Sequence, residues 1–122
     1  MTTTTKSRKA RGRNLQKYVV KKLRQAYGLD QDLDGDCYNG DVQSVPMGMS
    51  KEDILLSPYA KGLIRFSFEC KAQEKLNIWK ALEQAESNAD DRVPVVVFKR
   101  NRSKVYVCLE FDDFLDLVGN DE

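Results

Sequence analysis

The eight residues 64–71 read Ile64-Arg65-Phe66-Ser67-Phe68-Glu69-Cys70-Lys71, and their side chains divide into two sets with a period of two. Apolar side chains occupy every even position, and polar or charged side chains occupy every odd position. Because successive side chains of a strand point to opposite faces, this alternation predicts a half-buried strand whose apolar face meets a core. The polar face would present Glu69 and Lys71 roughly 6–7 Å apart and pointing the same way.

An acid and an amine placed side by side on a strand suit two different roles. Glu69 offers a hard oxygen ligand of the kind that Mg²⁺ prefers, and Lys71 offers a cation for a phosphate or an attacking water. The same Glu-x-Lys sequence is also common as a surface ion pair. The rest of the chain has to decide between the two roles.

Length and composition limit the chain to one core. With 122 residues it is long enough for a single domain and too short for two. Charged residues make up 32% and hydrophobic residues 41%, as in ordinary globular proteins. No apolar run approaches the ~18 residues of a membrane span, and the start lacks the apolar segment of a secretory signal. We therefore expect an intracellular protein.

The cysteine and histidine content excludes several kinds of site. The three cysteines, Cys37, Cys70 and Cys108, are odd in number and lack the paired spacing of metal sites, so a disulfide framework is not expected. The chain has no histidine. This absence removes the usual zinc ligands, the Ser-His triads and the commonest general base.

Charge is strongly segregated along the chain, although the net charge is only +1. Residues 1–24 carry nine basic residues and no acidic one, and a second basic cluster lies between Lys99 and Lys104. Separate positive patches favour a polyanionic partner, because neutralising phosphates releases counterions. The alternative for the first cluster is a flexible solubilising tail.

Periodicity and turn residues predict the order helix, two or three strands, helix, two strands, helix. This order indicates an α/β fold, a three-layer sandwich on a mixed β-sheet flanked by helices. We expect a flexible basic tail at residues 1–11, one domain at 12–118 and an acidic tail at 119–122. The first helix is expected to begin near Gly12 and to stop at Gly28. Asn77 is the expected N-cap of the second helix. The last helix should turn four apolar side chains inward: Phe111, Phe114, Leu115 and Val118.

Two aspartates compete for a place beside Glu69. Residues 52–57 are a strand candidate, and a short connection to residues 64–71 would make the two strands antiparallel neighbours, with Asp53 beside Glu69. Asp41 heads another possible strand and is the rival ligand. The alternating aspartates from Asp30 to Asp36 lack the glutamate and the flanking helices of a calcium loop, so we reject that site.

Taken together, these residues resemble the PD-(D/E)XK nuclease superfamily, with its restriction-endonuclease-like α-β-β-β-α-β core. The matching positions are Asp53, Glu69-Cys70-Lys71 and Gln84. More narrowly, the chain is similar to small phage-type nucleases of the Holliday-junction resolvase kind. That similarity is carried by short motifs: Gly12-Arg13-Asn14-Leu15-Gln16, Met47-Gly48, Glu52-Asp53-Ile54, Leu55-Leu56-Ser57-Pro58, Phe68-Glu69-Cys70-Lys71, Lys75-Leu76-Asn77-Ile78-Trp79 and Glu83-Gln84-Ala85-Glu86. The chain departs from the pattern at Glu52, where proline is usual, and at Gln16, where many relatives have glutamate.

The resemblance implies a metal-dependent deoxyribonuclease that acts on branched DNA in the cytoplasm of a bacterial or phage-infected cell. A homodimer would suit two scissions at a symmetric junction. It implies Mg²⁺, with Mn²⁺ able to substitute, held by Asp53, Glu69 and the backbone carbonyl of Cys70. Lys71 would orient the attacking water, and Gln16 and Gln84 would position it.

DNA phosphates should be contacted by the residues of the two basic clusters: Lys6, Arg8, Lys9, Arg11, Arg13, Lys99, Arg100, Arg102 and Lys104. Two alternatives stay open, a non-catalytic DNA-binding module that keeps the nuclease fold and an interaction protein with a solubilising tail.

Overall fold

The structure is a computed structural model and describes residues 5–46 and 52–119. The predicted motif Met47-Gly48 and the end of the acidic tail at 120–122 lie outside these residues. Four helices are described: α1 Thr5–Tyr27, α2 Pro58–Leu63, α3 Ile78–Asn88 and α4 Phe111–Gly119. Five strands are described: β1 Val42–Ser44, β2 Ile54–Leu56, β3 Phe66–Ala72, β4 Val93–Lys99 and β5 Tyr106–Cys108. A single 3₁₀ turn, Gln31–Leu33, follows α1.

The strands form two sheets. β1 and β2 pair antiparallel, with Val42 opposite Leu56. The second sheet has the order β3-β4-β5, in which β4 is parallel to β3 and antiparallel to β5. The predicted α/β fold with mixed strands flanked by helices is therefore confirmed. β4 is the central strand of this sheet, and its residues 95–97 are buried.

Two helices cover the opposite faces of the three-stranded sheet. Leu15 and Val19 of α1 belong to the larger core, together with Val95 and Val97. Ala81 and Ala85 of α3 pack on Val96 from the other side. The buried positions of α3 against the sheet are thus small alanine side chains.

The strand β3 is buried on both faces, not on one. Its polar-face residues Ser67 and Glu69 are 4% and 3% exposed. Glu69 lies opposite Val96 in the parallel register, on the face that α3 covers. The alternation in the sequence therefore separates two buried environments, and the expectation of a solvated polar face is wrong.

The predicted hairpin between residues 52–57 and 64–71 is also wrong. β2 pairs with β1, and the helix α2 lies between β2 and β3. Ser57 is the N-cap of α2, and its hydroxyl accepts a hydrogen bond from the Ala60 amide at 3.1 Å. Pro58 follows at the first helical position, where its missing N–H costs nothing. A Ser-Pro pair therefore begins a helix directly after the predicted strand at residues 52–57.

Helix α1 begins at Thr5, seven residues before the expected start near Gly12. The helical stripe that lies deepest in the core, Leu15, Val19 and Val20, begins only after Gly12, so hydrophobic periodicity could not reveal the earlier turns. The division of the chain into a basic tail, one domain and an acidic tail stays a prediction.

Helix α4 does not bury the side chains that were expected to turn inward. Phe111 is 68% exposed, and Phe114, Leu115 and Val118 are 43–54% exposed. The broad sheet faces are already covered by α1 and α3, so α4 has little apolar surface left to pack on.

Within the described residues, no helix is both long and apolar enough to cross a membrane.

The loop between α1 and β1 is held by one buried arginine. The guanidinium of Arg24 donates to the carbonyls of Asp36, Asn39 and Val42 at 2.6–2.8 Å. Its Nε lies 3.2 Å from the carboxylate of Asp30, which also accepts the Asp41 and Val42 amides. Among the alternating aspartates, Asp30 therefore holds the loop together. Arg24 links the start of β1 to α1.

Candidate active site

A cleft of about 990 Å³ opens between the first turns of α1, the ends of β2 and β3, and the helix α3. Asp53, Glu69 and Lys71 line it together. Two of these residues come from β3, and Asp53 comes from the residue before β2. The predicted acids and amine therefore meet, although the strands that carry the two acids are not paired with each other.

Asp53 reaches β3 through its side chain. Its Oδ2 accepts a hydrogen bond from the Cys70 amide at 2.7 Å. Along β3, the backbone N–H and C=O groups of odd-numbered residues point toward β4. The flanking residues show this, since the Arg65 carbonyl accepts the Val93 amide and the Gln73 amide donates to the Lys99 carbonyl. The Cys70 amide therefore faces the outer side of β3, and Asp53 binds it there.

Glu69 and Lys71 lie on one face of β3, as the alternation predicts. The Lys71 Nζ is 3.5 Å from the Glu69 Oε2. Asn88 on α3 also hydrogen-bonds the Glu69 carboxylate. The carboxylate is thus held between an ammonium of its own strand and an amide of the helix above it.

The two carboxylates are close enough to affect each other. Burial and, after it, the neighbouring Asp53 carboxylate raise the pKa of Glu69 to about 7, against the opposing effect of Lys71. Burial also raises the pKa of Asp53, against the stabilising hydrogen bond from Cys70. Two buried carboxylates that repel each other favour a shared positive partner, either a proton or a metal cation.

The donor set fits a hard divalent cation. Mg²⁺ binds through one or two carboxylates and keeps several waters, and Asp53 and Glu69 supply that number. Since the amide and carbonyl of one strand residue point to the same side, the Cys70 carbonyl lies on the Asp53 side of β3. Among residues 5–46 and 52–119 no group of three acidic, cysteine or histidine side chains could hold a metal ion, so a closed all-protein cage is not formed there.

The two predicted glutamines line the same cleft from opposite helices. Gln16 on α1 is 7% exposed, and its Oε1 accepts the Ser44 hydroxyl at 2.8 Å. This bond holds the side-chain amide of Gln16 at the wall of the cleft. Gln84 on α3 is exposed at the rim.

Asp41, the rival ligand, is directed elsewhere. Its Oδ1 accepts the Ser57 hydroxyl at 2.6 Å, and its backbone amide donates to Asp30. It does not line the cleft. Asp41 therefore supports the start of α2, and the geometry favours Asp53 for any role at the cleft.

The comparison with protein families decides the relationship. The model of the family described as "Phage putative PDDEXK endonuclease" matches residues 7–121. The chain belongs to this family. The match covers the whole described domain from Ser7 onward and confirms the predicted relationship to PD-(D/E)XK nucleases. No curated protein and no solved structure matches the chain.

In this member of the phage PDDEXK endonuclease family, the wall of the cleft formed by α1 is basic. Arg8, Lys9 and Arg11 of α1 line it, and Lys75, between β3 and α3, lines the cleft as well. Arg8, Gly12 and Gln16 repeat at spacings of four, so they share one face of α1. The early helix start thus turns part of the predicted basic tail into a wall of the cleft.

The other predicted phosphate contacts lie farther away. Lys99, Arg100 and Lys104 line a second groove beside the cleft. Lys6, Arg13 and Arg102 are exposed and line neither groove. Arg102 lies at the turn of the β4–β5 hairpin with a left-handed φ of 62°.

Two residues that make contacts around the cleft, Asn88 and Arg92, were not predicted from the sequence. Asn88 lies four residues after Gln84, so the spacing could have placed both on one helical face. Arg92 donates to the Phe66 carbonyl at 3.0 Å and forms an ion pair with Glu52 at 2.9 Å. Glu52, which occupies the position where proline is usual, thus ties the segment carrying Asp53 to β3 and β4.

Proposed function

We propose that this chain is a Mg²⁺-dependent DNA endonuclease that hydrolyses phosphodiester bonds, with Mn²⁺ able to substitute. The observation that supports it is the meeting of Asp53, Glu69 and Lys71 in one cleft with a basic wall. Membership of a phage PDDEXK endonuclease family supports the same reaction.

Phosphodiester hydrolysis needs a nucleophilic water, neutralisation of developing charge on the phosphate, and help for the departing oxygen. A bound Mg²⁺ supplies Lewis acidity and a water of lowered pKa. Asp53 and Glu69 would hold the ion, together with the Cys70 carbonyl. Their mutual repulsion makes the site more receptive to a cation than either acid alone would be.

Lys71 would act on the substrate. Its ammonium lies next to Glu69 and faces the cleft, where it would stabilise charge on the phosphate and orient the water. The fixed amide of Gln16 and the rim amide of Gln84 would position that water as hydrogen-bond donors or acceptors.

We also propose that the substrate is branched DNA, as for the resolvase-like nucleases that the chain resembles. Basic side chains on separate walls would hold phosphates of more than one arm, and such contacts read shape ahead of sequence. Cutting a symmetric junction on two strands would suit a two-fold homodimer. Light scattering of the protein with and without a four-way junction tests the dimer.

The decisive experiment compares Asp53→Asn and Glu69→Gln with the wild-type protein. Labelled four-way junction, flap, duplex and single-stranded DNAs are incubated with each protein in Mg²⁺, Mn²⁺ or EDTA. Each variant removes one charge from the cation site and keeps the side-chain volume, so we expect cleavage to fall by at least about 100-fold. Cleavage should vanish in EDTA.

Asp41→Asn is the matched control, because it makes the same chemical change at an acid outside the cleft and keeps an acceptor for Ser57. It should cleave like the wild type. Full activity in Asp53→Asn would overturn the assignment of that residue. Binding without cleavage under every metal would replace the endonuclease by a DNA-binding module of the same fold.

A further inference from the structure

A second groove of about 680 Å³ runs beside the cleft, between α1 and the hairpin that joins β4 to β5. Its walls carry four basic side chains and one aromatic ring. The basic residues are Arg11, Lys99, Arg100 and Lys104, and the ring belongs to Tyr18. The proposed hydrolysis uses none of the hairpin residues or Tyr18.

The second groove is continuous with the cleft. Arg11, Gln73 and Glu74 line both. On α1, Arg11, Asn14 and Tyr18 follow spacings of three and four, so they form a face next to the one that lines the cleft. A chain-like ligand leaving the cleft past Arg11 would therefore enter the second groove.

The hairpin wall is held in place. The Gln73 amide donates to the Lys99 carbonyl at 3.1 Å, and the Asn101 amide donates to Glu74 Oε1 at 3.1 Å. The Ser103 hydroxyl accepts the Arg100 amide at 3.0 Å and donates to a neighbouring carbonyl. Glu74, an acid lining the groove, is thus engaged by the hairpin backbone, and the cations are presented on a fixed support.

The side chains that line the second groove indicate which class of ligand it fits. Several cations along a groove match a row of phosphates, and an exposed aromatic ring between them matches an unstacked base. Tyr18 is 44% exposed, and the Lys22 ammonium lies 5.5 Å from its ring centroid. In an intact duplex the bases stack on one another and cannot be reached by a surface ring, so a duplex would leave Tyr18 unused.

We propose that the second groove binds a single-stranded segment of DNA that continues from the strand held in the cleft, with a base stacked on Tyr18 and phosphates on the hairpin cations. The placement of the continuing strand rests on the proposed endonuclease function. Among branched DNAs, the second groove would favour one in which a duplex passes into a single strand, such as a flap, ahead of a fully paired four-way junction.

The test measures binding of a labelled 12-nucleotide oligothymidylate and of a blunt 20-base-pair duplex in EDTA, by fluorescence anisotropy. Tyr18→Ala should weaken single-strand binding by about 10-fold and duplex binding by less than about twofold. Tyr18→Phe keeps the ring and should bind the single strand like the wild type. Lys104→Ala should weaken single-strand binding and lower its salt dependence by about one phosphate contact.

Tyr27→Ala is the matched control, because Tyr27 is a similarly exposed tyrosine on the same helix and does not line either groove. It should leave both affinities unchanged. Equal losses in Tyr18→Ala and Tyr27→Ala, or equal losses for single strand and duplex, would overturn the proposal.

Cleavage by the wild-type protein separates this inference from the proposed function. If the protein cleaves DNA but Tyr18→Ala binds the single strand normally, the groove assignment fails and the endonuclease stands. If the protein cleaves no DNA but single-strand binding depends on Tyr18, the endonuclease fails and the groove assignment stands.

Discussion

At the scale of single residues, the most consequential side chain outside the cleft is Arg24. It is 7% exposed, and its guanidinium serves three loop carbonyls and the Asp30 carboxylate. Gly40 completes this arrangement with φ of 100°, because a Cβ there would lie 2.6 Å from the Asp30 carboxyl group. One arginine therefore determines where β1 begins, and β1 in turn carries Ser44 to Gln16.

Replacing Arg24 by methionine should destabilise the fold by about 3–5 kcal/mol. The change keeps an apolar stem but leaves three carbonyls and the Asp30 charge buried without their partner. Urea unfolding followed by circular dichroism measures the loss. Lys21→Met, an exposed change on the same helix, should stay within about 0.5 kcal/mol, and a loss below about 1 kcal/mol for Arg24→Met would show that water replaces the guanidinium.

At the scale of elements, α1 connects both grooves to the core. Gly12 lies within this helix without a positive φ, and a Cβ built on it meets no heavy atom within 4 Å. Glycine in a helix interior costs about 0.5–1 kcal/mol relative to alanine. Gly12 therefore lowers the helical stability of α1 beside the cleft, although packing does not require a glycine there.

Gly12→Ala should raise the free energy of unfolding by about 0.5–1 kcal/mol, as measured by urea denaturation. Gly40→Ala is the contrasting variant, since its positive φ and the nearby Asp30 predict destabilisation. A destabilised Gly12→Ala would mean that the helix is not formed at this position in solution.

Elements also show what the sequence could and could not predict. The apolar run of β4 and the cap of α3 were predictable, and Asn77 Oδ1 indeed accepts the Lys80 amide at 3.2 Å. The separation of β2 from β3 was not, because the Ser57-Pro58 start of α2 resembles a strand end. The early turns of α1 were missed because hydrophobic periodicity does not mark them. The sequence predicts Asp53 beside Glu69 through a hairpin, but β2 pairs with β1 instead. Asp53 reaches β3 because its side chain accepts a hydrogen bond from the Cys70 amide.

At the scale of the whole molecule, Glu69 should govern how stability depends on pH. Its pKa in the folded protein is about 7, above the ordinary value of 4.5. The folded state therefore binds this proton more strongly than the unfolded state does. The stabilisation is fully present below about pH 4.5 and is lost as the pH rises from about 4.5 to about 7.

In EDTA, the free energy of unfolding should fall by about 1–3 kcal/mol across this interval. The chain has no histidine, so no other ordinary side chain has its usual pKa between 5 and 7. Urea titrations at a series of pH values measure the slope, and Glu69→Gln should flatten it. An unchanged slope in Glu69→Gln would assign the effect to other carboxyl groups.

The outer side of β3 carries a further consequence. The backbone groups of its even-numbered residues point away from β4. On that side, Arg92 donates to the Phe66 carbonyl and the Cys70 amide donates to Asp53. These are backbone groups that a foreign strand would need in order to add to the sheet. The Asp53 carboxylate, which lines the cleft, thus also occupies a backbone donor that an added strand would need. Asp53→Ala would remove both the proposed cation ligand and the acceptor of the Cys70 amide. Asp53→Asn keeps an acceptor there, so comparing the two variants separates the proposed chemistry from self-association.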